Sequence, residues 1–156
     1  MLKWLSLILV LVLVTPVYAE ETGTLTGSLD NENTVLDLIA SQSDHRGDEN
    51  FGSVSMVFSA DGAAGLKMLF IGFEWRDGSA AVPDIRIVAD DRSMYFPRED
   101  EDFLLEIDGA SKSGEFLTVK GRLRFIADHS KDFGRTRDPS NSHTLEGSFE
   151  ATIGPV

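Results

Sequence analysis

Apolar and polar residues alternate with a period of two through most of the chain after Glu20. In the last such run, Leu145, Phe149 and Ile153 share one face and the glutamates between them lie on the other. This alternation is typical of half-buried antiparallel strands, because successive side chains point to opposite faces of a sheet. The pattern predicts about nine strands, near residues 23–29, 35–40, 54–60, 66–75, 85–89, 93–96, 103–107, 117–125 and 145–153.

The spacing of these runs indicates the fold class. Clusters of Gly, Asp, Asn and Ser separate them, and helical periodicity is absent. Short strands with such turn signals are typical of a single antiparallel β-sandwich, with a small β-barrel as the alternative. The run at 66–75 is apolar on both faces, which predicts a central strand with Gly72 at a bulge or a close backbone approach.

Three cations, Lys120, Arg122 and Arg124, lie on the polar face of the strand predicted at 117–125. They could hold an anion. A hairpin with the last strand would instead place Lys120 opposite Glu150 and Arg124 opposite Glu146, and opposite charges across strands stabilise a sheet. We therefore predict a cross-strand charge ladder here.

The first nineteen residues have the pattern of a secretory signal peptide. Lys3 gives a positive start, Trp4 to Val14 is almost wholly apolar, and Ala19 supplies a small residue at the cleavage position. A retained transmembrane helix needs about 20 apolar residues, and Pro16 interrupts this run too soon. We expect cleavage after Ala19, a periplasmic or secreted location, and one β-sandwich domain at residues 20–156.

Composition narrows the classes of function. Removing residues 1–19 from the 156 leaves 137, enough for one domain with a substantial core, and shifts the formal net charge from −12 to −13. Such acidity argues against nucleic acid, and against a membrane surface after cleavage, as partners. The chain has no cysteine, which excludes disulfides, thiol catalysis and a lipid anchor.

The longest polar connections lie at 41–52, 76–82, 97–102 and 127–141, and they share one end of the fold if every strand reverses direction. Binding residues concentrate on long loops held by a rigid scaffold. We therefore predict one ligand-binding end formed by Asp44, His45, Asp48, Trp75, Asp128, His129, Arg135, Arg137 and His143. A single connection without reversal would divide this set. Trp75 is favoured as a cap on the core over a ligand contact, because tryptophan is highly buried on average.

Motifs for catalysis or metal binding are weak. The three histidines could supply zinc ligands, but no two of them have the spacing that fixes a pair on one element. The acidic run Glu99–Asp102 offers oxygen ligands for calcium without a preorganised loop, and a solvated turn is favoured. The sequence predicts no catalytic residue, no metal ligand and no cofactor, with Ca²⁺ or Zn²⁺ as alternatives.

The leading hypothesis is an exported, soluble, non-enzymatic module that binds a small molecule, a glycan or a protein at the long-loop end. One alternative is a small periplasmic or secreted metal-assisted hydrolase that uses His45, Asp128, His129 and His143. The other is a structural or assembly subunit with an apolar exposed sheet edge.

Overall fold

The computed structural model describes residues 20–98 and 102–156. The predicted signal peptide, and the acidic run except Asp102, lie outside the described residues. The strands are β1 (Thr22–Leu29), β2 (Glu32–Leu38), β3 (Asp44–Gly47), β4 (Phe51–Ser59), β5 (Leu66–Arg76), β6 (Ser79–Ala89), β7 (Met94–Pro97), β8 (Leu104–Ser113), β9 (Phe116–Ser130) and β10 (Asp138–Ile153). Within the described ranges, no helix is long and apolar enough to cross a membrane.

All ten strands belong to one antiparallel sheet that closes on itself. The order is β10-β1-β2-β4-β5-β6-β7-β9, and β9 pairs again with β10. Two strands lie off this ring, β3 on β4 and β8 on β9. The all-β antiparallel class is therefore confirmed, and the ring closure corresponds to the barrel-like form of the two predicted architectures.

Inward-facing side chains from the eight ring strands form one core. The predicted alternation holds in β10, where Leu145, Phe149 and Ile153 are buried. Trp75 is only 1% exposed and is among the largest fully buried side chains. Burial of a large apolar side chain contributes about 1.5–3 kcal/mol, so Trp75 belongs to the core, as the sequence favoured.

Strands β9 and β10 pair in the predicted register. Lys120 faces Glu150 across the strands, and its Nζ lies 2.8 Å from the glutamate Oε1. Arg122 reaches the other neighbouring strand, β8, where its guanidinium contacts Glu106 and Asp108. The predicted register and the Lys120–Glu150 pair are therefore confirmed. Arg124 lies opposite Glu146 as predicted, but its Nε donates to the carbonyl oxygen of Asp102.

The chain keeps its direction from β7 to β8. Both strands pair antiparallel with β9, β7 along residues 127–130 and β8 along residues 116–124. From β8 onward, each connection between strands therefore lies at the opposite end of the sheet from the one predicted. The β3–β4 end carries the turns at 48–50, 77–78 and 114–115, whereas the β9–β10 end carries the turns at 30–31 and 90–93 and the loop at 131–137.

Strand β6 carries a bulge at Val82 and Pro83. Its pairing with β5 shifts between Gly72 and Glu74, so the bulge is in β6 and not at Gly72, which pairs regularly with Asp84. Val82 has φ +48°, which is rare for a β-branched residue. Proline cannot donate to a strand ladder, and bulges are among the few positions in sheets that accept it. The bulge turns this part of β6 away from regular pairing.

Candidate functional site

The nine residues predicted to share one end lie at both ends of the sheet. The β3–β4 end holds Asp44, His45, Asp48 and Trp75. The β9–β10 end holds Asp128, His129, Arg135, Arg137 and His143. The cause is the connection from β7 to β8, which does not reverse the chain as the prediction required. The structure therefore does not bring the three histidines together.

Residues at the β3–β4 end stabilise the fold. His45 is buried, its Nε2 donates to the carbonyl oxygen of Glu115 at 2.9 Å, and its backbone pairs with Gly154. Asp48 accepts backbone N–H groups of Asn50 and Phe51, and these hydrogen bonds lower the pKa of its carboxyl. They close the β3–β4 turn, while Asp44 begins β3 in a half-buried position.

An aromatic cluster occupies the β9–β10 end. The ring of Tyr95 lies between His129 and His143, with centroids 5.2 and 4.5 Å away. His143 Nδ1 donates to Asp30 at 2.6 Å, and the same carboxylate accepts the backbone N–H of Thr144. Burial raises the pKa of the Tyr95 hydroxyl. These contacts tie the β1–β2 turn to β7 and β10. In the part of the chain that the structure describes, no group of three or more His, Cys, Asp or Glu residues is placed to hold a metal ion.

Asp128 is engaged by Arg98, a residue that the sequence analysis did not select. The carboxylate is 4% exposed, and Arg98 donates to it from Nε at 3.0 Å and from Nη2 at 2.8 Å. Charge-assisted bidentate pairs of this kind are strong and directional. Arg98 directly follows Phe96 and Pro97, so the pair anchors the end of β7 to β9.

The loop at 131–137 is organised around Asp132. Its carboxylate accepts the hydroxyl and the backbone N–H of Thr136 and the hydroxyl of Ser130, and Ser130 also accepts the N–H of Gly134. The Thr136 hydrogen bonds contribute most to lowering the pKa of Asp132 to about 2. The loop is preorganised, and it presents Phe133 at its tip, 78% exposed and with φ +58°.

An apolar groove of about 570 Å³ lies beside this loop. One wall is the β6 bulge, and the other is formed by the end of β7 and by Phe103, which precedes β8. The two walls are apart because β7 pairs with β6 only at Ile87 and Val88. Its volume is within the range of about 300–1,000 Å³ that is typical of small-molecule sites. The lining residues are Val82, Pro83, Asp84, Ile85, Phe96, Pro97, Phe103 and Arg137.

Arg137 connects the loop to the groove. Its Nη1 donates to the carbonyl oxygen of Pro97, and its guanidinium carbon lies 5.8 Å from the centre of the Phe96 ring. Gly134 also lies against this ring, and an added Cβ there would be 3.3 Å from it. The groove and the loop at 131–137 thus form one continuous surface, which we call the binding face.

A larger and shallower groove, of about 780 Å³, crosses the outer faces of β1, β2, β9 and β10. Most of its lining side chains are polar, and Arg122 within it is paired with carboxylates of β8. Ligand sites are predominantly lined by hydrophobic side chains with a few polar groups. By the types of residue that line it, the binding face matches that description more closely.

Three of the predicted residues, Asp128, Arg135 and Arg137, belong to the binding face or support it. The apolar walls, above all Val82, Phe96 and Phe103, are not among the residues predicted from the sequence. One signal was available for the first of these, since Pro83 in a strand-like segment marks an edge or a bulge. From their alternation, Phe96 and Phe103 were predicted to face the core. Nothing in the spacing of aromatic residues along a strand distinguishes a buried position from one that lines a groove.

Replacing Asp132 with asparagine should loosen the loop. The neutral amide is a weaker acceptor for the three donors that a carboxylate holds here. We expect faster tryptic cleavage after Lys131 and Arg135, measured on the folded protein by limited proteolysis. Asp61→Asn is the matched control, because that turn carboxylate accepts no hydrogen bond from the described residues. Equal cleavage rates in the two variants would contradict the assigned role of Asp132.

The same contacts predict a pH dependence. The pKa of Asp132 is lowered from 3.8 to about 2 in the folded protein, so its contribution to stability is complete above the unfolded value. It is lost as the pH falls from about 4 towards 2. Hydrogen-exchange protection of the Thr136 amide should decrease across this interval in the wild type, and Asp132→Asn should remove that dependence.

The binding face combines an open apolar groove, a preorganised loop with an exposed aromatic tip, and a cation beside the groove wall. This arrangement can cover an apolar group and contact a polar one at its edge. When compared with known proteins, the chain matches no family model, no curated protein and no solved structure.

Proposed function

We propose that this protein is an exported, non-enzymatic binding module that holds an apolar ligand in the groove of the binding face. The observation that carries the proposal is the apolar wall left open to water. Val82 is 73% exposed, and the rings of Phe96 and Phe103 line the same groove. Covering such surface yields about 25 cal/mol per Å², so a complementary apolar ligand would be stabilised there.

Backbone strain at the binding face supports this proposal. Val82 and Phe133 have φ values of +48° and +58°, and they have the largest apolar side chains among the described non-glycine residues with positive φ. Such conformations cost about 1–3 kcal/mol each and concentrate at ligand sites. Val82 lines the groove, and Phe133 is at the tip of the neighbouring loop. A structure selected for stability alone would place smaller or more permissive residues at both positions.

The polar side chains that the hydrolase hypothesis needs are engaged in contacts within the fold, which favours binding over catalysis. The hydrolase hypothesis required His45, Asp128, His129 and His143 to converge. His45 lies at the β3–β4 end, Asp128 is held by Arg98, and His143 is held by Asp30. A ligand in the groove would meet apolar side chains and one guanidinium instead.

A neutral fluorescent probe, N-phenyl-1-naphthylamine, tests the proposal. The wild type should bind it saturably, and Val82→Asp should weaken binding at least tenfold because the ligand would then desolvate a carboxylate. Aspartate adopts positive φ more readily than valine, so the variant is expected to fold.

Val35→Asp is the matched control, since Val35 is also an exposed strand valine but lies outside this groove. Its affinity for the probe should equal that of the wild type. The absence of saturable binding to the wild type, or equal affinities for the two aspartate variants, would overturn the proposal.

A further inference from the structure

We infer that the ligand of the groove is an aliphatic carboxylate and that Arg137 binds its carboxylate group. This inference rests on the proposed function and specifies its ligand. The groove is lined mainly by apolar side chains, and Arg137 lies at its edge against Phe96. A long alkyl chain with an anionic head has the matching distribution of polarity.

The guanidinium of Arg137 has donors to spare. One of its nitrogens donates to the carbonyl oxygen of Pro97. An arginine side chain has five N–H donors in a planar fork, a geometry that suits two-pronged binding of a carboxylate. Among the described residues no carboxylate lies within ion-pair distance of Arg137. Within that part of the chain, its charge is not engaged by a carboxylate and can be used by a ligand.

The chain has 26 acidic and 14 basic residues. Among the described residues three arginines are ion-paired with carboxylates, and Arg137 is one of the arginines that are not. Arg86 lies 3.3 Å from Asp84, Arg98 lies 2.8 Å from Asp128, and Arg122 contacts two carboxylates of β8.

Among the described residues, the acidic one that lines the groove is Asp84, and it does not oppose an anionic ligand strongly. Its carboxylate is paired with Arg86, whose guanidinium also stacks on the Phe70 ring at 4.3 Å. Of the described groove-lining residues, Arg137 thus carries the positive charge that has no acidic partner. A carboxylate at this edge gains an ion pair, while its alkyl chain covers Val82 and Phe103.

Dodecanoate and dodecan-1-ol separate the two contributions, because they share the alkyl chain and differ in the head group. Displacement of N-phenyl-1-naphthylamine at pH 7.5 and low salt should show about fivefold tighter binding of dodecanoate, which is the upper range for a solvent-exposed ion pair. Arg137→Gln should remove this preference and leave the affinity for dodecan-1-ol unchanged. Arg92→Gln, in the turn at 90–93 at the same end of the sheet but outside the binding face, should keep it.

The outcomes distinguish this inference from the proposed function. If the wild type binds the acid and the alcohol equally, or if Arg137→Gln weakens both to the same extent, the role of Arg137 is overturned while groove binding stands. If neither compound displaces the probe although the probe binds, the aliphatic ligand class is wrong. If the probe itself does not bind, the proposed function and this inference fail together.

Discussion

Replacing Gly27 with alanine should destabilise the protein by about 3 kcal/mol, at the upper end of overpacking effects. A Cβ at this position would lie 2.0 Å from the carbonyl oxygen of Glu146 and 2.5 Å from the Cα of Gly147. Gly27 and Gly147 face each other across β1 and β10, one of the pairs that close the sheet. Because the obstructing atoms are backbone, the strands themselves would have to separate.

Chemical denaturation of the two proteins measures this effect. Gly109→Ala is the matched control, since Gly109 also lies in a strand but an added Cβ would meet no atom within 4 Å. We expect its stability to equal or slightly exceed that of the wild type, because alanine restricts the unfolded chain. Similar free energies of unfolding for the two alanine variants would show that the close approach of β1 and β10 does not constrain the sheet.

The parts of the fold that the sequence predicts are those fixed by side-chain alternation. In β9 and β10 a shift of one residue would expose Leu123 and Phe149 and bury Arg124 and Glu150 instead. Period-two patterning therefore specifies the pairing register strongly. The opposite charges on the outer faces of these strands favour the same register, which is why both predictions agree with the structure.

Strand β3 has no such pattern. Its four residues, Asp44–Gly47, alternate little in hydrophobicity and precede turn-forming residues, so the segment was predicted as part of a long loop. It pairs with β4 through backbone hydrogen bonds, and only His45 is buried. A strand that is held mainly by backbone hydrogen bonds cannot be recognised from the order of its apolar residues.

The direction of β8 was also beyond the sequence pattern. Runs near 93–96 and 103–107 were predicted correctly as strands, but alternation is the same whether a chain reverses or continues. The structure shows continuation along β9. The connection from β7 to β8 therefore divided the predicted site. Arg137 and its loop still lie beside a groove, whose apolar walls come from a bulge and a short strand. Both walls depend on how the strands pair, which the composition of the segments does not reveal.

Removing Arg98 should destabilise the protein more than removing its partner Asp128. In Arg98→Ala a carboxylate that is 4% exposed remains without its bidentate donor. Breaking a buried pair in this way costs about 3–5 kcal/mol. The Arg98 side chain is 33% exposed, so water can partly replace it and about 2–3 kcal/mol is expected. Asp128→Ala removes the buried charge itself and leaves a guanidinium that water can reach, for a loss of about 1–2 kcal/mol.

The double variant Arg98→Ala/Asp128→Ala should be more stable than Arg98→Ala alone, because the unpaired buried carboxylate is then absent. Arg122→Ala is the control for loss of an exposed ion pair on β9, with an expected cost below about 1 kcal/mol. Additive effects of the two single substitutions, measured by urea denaturation, would contradict the coupling. Since Arg98 anchors the chain next to Phe96 and Pro97, Asp128→Ala should also weaken probe binding in the folded protein without any direct contact to the ligand. A loss of probe affinity that tracks this ion pair would place Asp128 in support of the groove wall, and not among the groups that touch the ligand.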